Sequence, residues 1–174
     1  MKLFSSVACV LFTVAAAFAQ GSGDPGIHPG AQKTRAAGQS KDGWGLFTPP
    51  SITWVDGPAS LRQGTKMVIM EGDPAAEGVF TMRLWMPDGF IVSPHSHTQI
   101  EHVTIISGIL NFGMGERFDK AATRPMTTGS FGYWPIGMKH YAWTTGETVL
   151  QLHGRGPWTV TYVNPADDPR IAKK

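Results

Sequence analysis

The stretch GFIVSPHSHTQIEHVTIISG, at residues 89–108, decides the fold that we predict for this chain. It places His95 and His97 two residues apart, and Glu101 four residues further on. Because alternate side chains of an extended strand share a face, the two imidazoles should point the same way. The step to Glu101 leaves room for a short turn, so the carboxylate should open the next strand.

A second stretch, GSFGYWPIGMKHYAWT at residues 129–144, adds a third histidine, His140, behind the turn signal Pro135-Ile136-Gly137. Three imidazoles and one carboxylate form a mixed nitrogen and oxygen set that suits one divalent Mn, Fe, Ni, Co, Zn or Cu ion. Two simpler interpretations stay open: ordinary polar residues on a strand face, or a fold that binds no metal.

The two stretches resemble the two sequence motifs of the cupin superfamily. The first matches the family's glycine, His-x-His, glutamate and second glycine in spacing, with Gly89 and Gly108 as the glycines. The second matches at Gly129, at the Pro-x-Gly turn and at His140. It departs at Thr144, where the family usually has asparagine.

This resemblance implies an all-β, single-domain cupin, that is, a jelly-roll barrel or double-stranded β-helix. It also implies that His95, His97, Glu101 and His140 bind one divalent metal ion. The asparagine position is not a metal ligand in cupins, so Thr144 leaves the metal assignment intact. The resemblance says little about the reaction, because one fold hosts many chemistries.

The rest of the sequence also predicts short strands between tight turns, as 21 Gly and 13 Pro suggest. No convincing helical period exceeds about ten residues, although residues 116–122 favour one helical turn. We predict strands at residues 52–55, 66–70, 79–86, 90–97, 101–112, 131–134, 141–144, 149–153 and 159–163. In residues 79–86 the side chains alternate, with Phe80, Met82, Leu84 and Met86 on one side.

Residues 1–19 have the pattern of a secretory signal peptide: Lys2, an apolar run at 7–17, and an Ala-Phe-Ala cleavage site. The alternative is an uncleaved anchor or a buried N-terminal helix. We predict a flexible arm at residues 20–45, which holds His28, the cupin barrel at 46–165 and a C-terminal tail at 166–174. Residues 164–169 should form a terminal loop, and the chain should fray toward Lys174. The mature protein should therefore be periplasmic or secreted.

The composition limits the kinds of binding partner that we expect for this protein. Removing the first 19 of the 174 residues leaves 155 without the only cysteine, Cys9, which excludes disulfides and thiolate chemistry. Loss of Lys2 leaves 14 basic against 13 acidic residues, with no basic cluster. We therefore expect a small-molecule ligand, and neither nucleic acid nor, after signal cleavage, a membrane as partner. A homodimer is also considered.

Two further histidines lie near the motifs. His102 follows Glu101 and should face the opposite side of its strand. His153 shares a strand face with Gln151 and Val149; if that face lines the barrel, Gln151 and His153 are candidate catalytic residues that contact the substrate or metal-bound water. The alternative is a rim or surface histidine. Bulky side chains that could wall a cavity are Trp85, Phe112, Met114, Trp134, Tyr141 and Trp143.

Three function classes follow from these features. The first is an exported metal-dependent enzyme for a small organic molecule, of dioxygenase, isomerase or lyase type. The second is a non-catalytic metal or small-molecule binding protein, such as a sensor. The third is a structural cupin with a vestigial site, which the complete set of four ligands disfavours.

The cleavage site predicts the mature N-terminus. Protein isolated from its native host should begin at Gln20, because cleavage after Ala19 follows the apolar run. Intact-mass spectrometry measures this directly. Recovery of the chain with Met1 from the cytoplasm would contradict export.

Overall fold

The structure, a computed structural model, describes residues 43–171. The predicted signal peptide, most of the predicted arm with His28, and residues 172–174 lie outside this range. Nine strands are described: β1 (Val55–Asp56), β2 (Lys66–Glu71), β3 (Gly78–Met86), β4 (Ile91–His97), β5 (Glu101–Met114), β6 (Arg124–Thr127), β7 (Phe131–Trp134), β8 (His140–Gly156) and β9 (Val160–Tyr162). Single 3-10 turns lie at Pro49–Ser51, Lys120–Ala122 and Pro165–Asp167. Between residues 43 and 171, no helix is long and apolar enough to span a membrane.

The strands form one antiparallel sheet that curls around a core, in the order β1-β2-β3-β8-β4-β9. β5 lies against the other edge of β8 and also pairs with β6 and β7. β8 joins the two halves of the barrel, because its start pairs with β4 and its end with β3. The predicted all-β jelly-roll fold is confirmed.

The core lies on the inner face of the sheet. The alternation predicted for β3 is confirmed, since Phe80, Met82, Leu84 and Met86 are all buried. The inner face of β5 carries Glu101 and then Val103 and Ile105, so the carboxylate shares its face with the core. Burial of this apolar surface is the main stabilising contribution to such a fold.

Three elements differ from the sequence prediction. The strands predicted at 141–144 and 149–153 are one strand, β8, because hydrogen bonding to β5 continues on both sides of the exposed residues 145–147. The strand predicted at 52–55 is reduced to Val55–Asp56. β6 was not predicted, and its Pro125 is typical of a short strand with a single partner.

The predicted C-terminal tail is ordered as far as Ile171. Arg170 forms an ion pair with Asp168, 2.7 Å between Nη2 and Oδ2, and also donates to the carbonyl oxygen of Val160 at 2.8 Å. These contacts attach the segment to β9, so the predicted terminal loop at 164–169 and the two residues after it are ordered, while residues 172–174 lie outside the described range.

Gly108, the second glycine of the first motif, has a structural reason to be glycine. It adopts a left-handed φ of 79°, and a Cβ built there would lie 2.3 Å from the carbonyl oxygen of Glu147. The residue lies where β5 shifts register against β8. A side chain would therefore force the two central strands apart.

Gly108→Ala should lower the free energy of unfolding by at least about 2 kcal/mol, because a steric overlap adds to the left-handed backbone penalty. Gly146→Ala is the matched control: its φ is also left-handed at 70°, but a Cβ added there would meet nothing within 4 Å. This substitution should lower the free energy of unfolding by only about 1 kcal/mol. Urea unfolding of both variants measures the difference, and equal losses would contradict the overlap.

Candidate metal centre

The predicted ligands come together from three strands. His95 and His97 lie on β4, Glu101 opens β5 and His140 opens β8. His95 and His140 are direct partners in the β4–β8 pairing, which brings the second motif against the first. All four side chains are buried, with 3–7% of each residue exposed.

The three imidazole rings converge. Their centroids are separated by 4.3 Å for His95 and His140, 4.9 Å for His95 and His97, and 5.1 Å for His97 and His140. One ring nitrogen from each lies within 4.8 Å of the others. This spacing suits three nitrogen ligands around one ion, since a metal–nitrogen bond of about 2.1 Å brings ligands together on this scale.

Hydrogen bonds to the backbone orient each ring. The Nδ1 atoms of the three histidines lie within hydrogen-bond distance of main-chain carbonyl oxygens, which can only accept. Each Nδ1 therefore carries the proton, and each Nε2 keeps a lone pair for a metal. The acceptors for His95, His97 and His140 are Ser93, Thr159 and Met138, at 2.8, 3.0 and 3.0 Å.

The position of Glu101 shows that the cluster of imidazoles suits a cation. Its Oε2 lies 3.1 Å from Nε2 of His97 and 3.2 Å from Nε2 of His140. Nε2 of His97 is nevertheless a buried atom without a hydrogen-bond partner. A carboxylate oxygen facing imidazole lone pairs is unfavourable unless a positive charge lies between them, so these residues fit a divalent metal.

The protonation states also fit a metal. Burial, followed by the neighbouring His140 and His97, lowers the pKa of His95 to about 3, which keeps this imidazole neutral at neutral pH. Burial by itself would raise the pKa of Glu101, but His97 and His140 outweigh it and hold that pKa below its usual range. Metal ions bind the deprotonated forms of both side chains.

The Pro-x-Gly turn positions His140. The N–H of Gly137 donates to the carbonyl oxygen of His97 at 3.0 Å, and Gly137 adopts a left-handed φ of 74°. The turn thereby attaches the start of β8 to the end of β4. Because His140 follows this turn by three residues, the contact also fixes where His140 lies relative to His97.

Thr144, the departure from the cupin motif, has a structural role. It is completely buried; its Oγ1 donates to the carbonyl oxygen of Pro87 at 2.6 Å and accepts from the N–H of Phe90 at 2.8 Å. The hydroxyl thus holds the turn before β4 against β8.

The metal centre opens into an apolar cavity inside the barrel. The space that the centre of a water molecule can reach is about 60 Å³, enough for roughly four to six waters. Among the described residues, its ionisable lining side chains are the four predicted ligands. Of the bulky residues predicted to wall it, Phe112 and Trp134 do so. Trp85, Met114, Tyr141 and Trp143 do not.

The sequence analysis missed Trp158, which also lines the cavity and stacks on His97 with centroids 4.3 Å apart. A signal was available in the alternation of Trp158, Val160 and Tyr162, which is typical of one inward strand face.

The predicted cavity role of His153 and Gln151 was wrong. On β8 the inner face carries Leu150 and Leu152, which line the cavity, so the alternate residues point outward. His153 stacks on His102 with centroids 4.9 Å apart, and Gln151 accepts a hydrogen bond from Nε of Arg83 at 3.1 Å. His102 faces outward, as its parity predicted.

Replacing a predicted ligand should remove the metal. His97→Ala and His140→Ala should each lose most of the bound metal, because each removes a buried nitrogen ligand, while the circular dichroism spectrum stays that of a β protein. His102→Ala and His153→Gln are matched controls and should keep wild-type metal content by elemental analysis. Full metal occupancy in the double variant His95→Ala, His140→Ala would contradict the assignment.

Comparison with known proteins supports this fold. No family model and no curated protein matches the sequence. A solved putative acetylacetone dioxygenase from Methylibium petroleiphilum PM1 is 21% identical with a TM-score of 0.56, over 77% of this chain and 90% of that one. The polyketide cyclase RemF from Streptomyces resistomycificus is 16% identical with a TM-score of 0.51, over 61% and 75%.

A third solved structure, an RmlC-like cupin from Shewanella frigidimarina NCIMB 400, is 12% identical with a TM-score of 0.49, over 63% of this chain and 88% of that one. At these identities the likeness concerns the fold, while the ligand geometry comes from this chain's own residues. The chain therefore has the all-β jelly-roll fold of the first two structures, and its two motifs resemble those of the cupin superfamily.

Proposed function

We propose that this chain is an exported metal-dependent enzyme that acts on a small organic molecule. One divalent ion is held by His95, His97, Glu101 and His140, and the substrate occupies the cavity beside it. The reaction is of dioxygenase, isomerase or lyase type. Export rests on the signal-peptide pattern of residues 1–19.

One observation carries the proposal: three buried imidazoles, oriented by backbone carbonyls, bring one ring nitrogen each within 4.8 Å of one another, and two of them place Nε2 beside the carboxylate of Glu101. Such a cluster is costly to bury unless it binds something, since buried polar groups need partners. A divalent ion would supply Lewis acidity, which polarises a carbonyl or lowers the pKa of bound water.

The residues around the ligands provide the rest of the site. The cavity walls are apolar, so they exclude bulk water and strengthen electrostatic interactions inside. Phe112 and Trp134 stack at 3.9 Å beside His140 and give one wall a flat, rigid surface. The small volume restricts the substrate to few non-hydrogen atoms.

The name of one structural neighbour suggests a first substrate to test. That protein is described as a putative acetylacetone dioxygenase, and it is 21% identical to this chain. Acetylacetone is small, and its enolate offers two oxygen ligands to a metal, which suits an apolar cavity beside one ion. We therefore include small dicarbonyls among the candidate substrates.

A non-catalytic binding protein is the second candidate. It is favoured by the lack, among the described cavity residues, of an ionisable group apart from the four ligands. An enzyme that transfers protons would then have to use a ligand such as Glu101 for that step. A protein that only binds a small molecule has no such need.

Metal analysis combined with oxygen uptake separates the candidates. Protein purified from its native compartment should contain about one metal per chain. As an enzyme it should consume oxygen, or convert the compound, when given acetylacetone or related small carbonyl compounds. Activity should fall at least about 100-fold in His97→Ala, which removes a metal ligand, and persist in His102→Ala.

Other outcomes distinguish the alternatives. Bound metal and saturable small-molecule binding without any turnover would favour the binding protein. Protein from the native compartment that contains no stoichiometric metal would overturn the metal-dependent enzyme.

A further inference from the structure

Two buried side-chain nitrogens among residues 43–171 have no hydrogen-bond partner: Nε2 of His97 and Nε1 of Trp158. Both residues line the metal cavity, and their rings stack at 4.3 Å with an interplanar angle of 18°. A metal ion accounts for the first nitrogen, which has a lone pair. It does not account for the second, because the indole N–H is a donor only.

Trp158 is held beside the metal centre by its loop. Its backbone N–H donates to the carbonyl oxygen of Pro74 at 2.8 Å. The next residue, Thr159, supplies the carbonyl oxygen that orients His97. The loop between β8 and β9 thus positions both a predicted metal ligand and the unpaired indole.

Buried donors in native proteins almost always have a partner, and those without one in the protein usually meet water or a ligand. We infer that the indole N–H of Trp158 donates a hydrogen bond to an oxygen atom of the molecule bound at the metal centre. Trp158 is then a specificity-determining residue for ligands with a carbonyl or carboxylate oxygen. This inference rests on the proposed metal site.

The net charge expected at the metal site favours a ligand with a negatively charged oxygen atom. Three neutral imidazoles and one carboxylate leave a divalent ion with a net charge near +1. No Lys or Arg lines the described cavity, so an anion would be neutralised by the metal itself. A carboxylate or enolate has two oxygens: one can bind the metal while the other accepts from the indole. The volume of about 60 Å³ limits such a ligand to a few non-hydrogen atoms.

Trp158→Phe tests the inference, because it removes the indole N–H and keeps a smaller aromatic ring against His97. The full-length mature protein is loaded with Co²⁺, whose visible spectrum reports ligand binding, and titrated with acetate and with imidazole at constant ionic strength. Acetate has a free oxygen acceptor once it is bound, and imidazole has none. Trp158→Phe should weaken acetate binding by roughly 10- to 100-fold, as expected for one hydrogen bond to a charged acceptor, and leave imidazole binding within about twofold.

A second measurement does not depend on the variant's stability. In ¹⁵N-labelled, Zn²⁺-loaded wild-type protein, the indole N–H signal of Trp158 should move downfield when acetate is added. Its assignment comes from its absence in Trp158→Phe, or from selective labelling if that variant does not fold. An indole signal that stays in place while acetate binds would overturn the inference and leave a buried water as the partner of the indole.

The remaining outcomes separate the inference from the proposed function. Equal weakening of acetate and imidazole in Trp158→Phe would show a packing role and overturn the specificity role alone. Unchanged affinity for both probes would also overturn the specificity role of Trp158 and leave the metal site intact. Failure of the wild-type protein to retain Co²⁺ or Zn²⁺ would overturn the metal site and this inference together.

Discussion

The three hydrogen bonds from imidazole Nδ1 atoms to backbone carbonyls are the constraint on which the rest of the site depends. They determine which nitrogen of His95, His97 and His140 carries a proton, and they turn the other nitrogen inward. The acceptors lie on or next to the strands that form the barrel, so the ligand geometry depends on the sheet. Any change that shifts β4 against β8 or β9 would also misplace the ligands.

The apolar interior of the barrel strengthens the tendency of this polar cluster to bind a cation. Leucine, methionine and aromatic side chains surround the imidazoles and Glu101 and keep bulk water away. In such surroundings unpaired lone pairs are unfavourable, whereas interactions between a cation and its ligands are strong. The same burial that keeps His95 neutral therefore favours metal binding at the centre of the barrel.

Sequence parity placed some residues correctly and others wrongly, for an identifiable reason. On β5, Glu101 and His102 lie on opposite faces as expected, because the motif had already assigned Glu101 to the inside. On β8 no motif residue identifies the inner face near His153, so the parity of this stretch by itself allows either face to point inward. Leu150 and Leu152 are the apolar pair of that stretch, and they face the core because burial favours them over Gln151 and His153.

The sequence by itself determined the all-β fold and the four predicted ligands, because the glycines, the turn and the histidines occur at fixed spacings within two short stretches. Gly108 and Gly137 show why: each adopts a left-handed backbone conformation that is unfavourable for other residues. Only the tertiary structure decided which residues line the cavity. Trp158 reaches His97 across 61 residues of chain, and such a contact depends on how β9 and its preceding loop pack beside β4. The pairing of distant strands, which no local pattern encodes, placed an indole beside the metal ligands and two further histidines on the outer face.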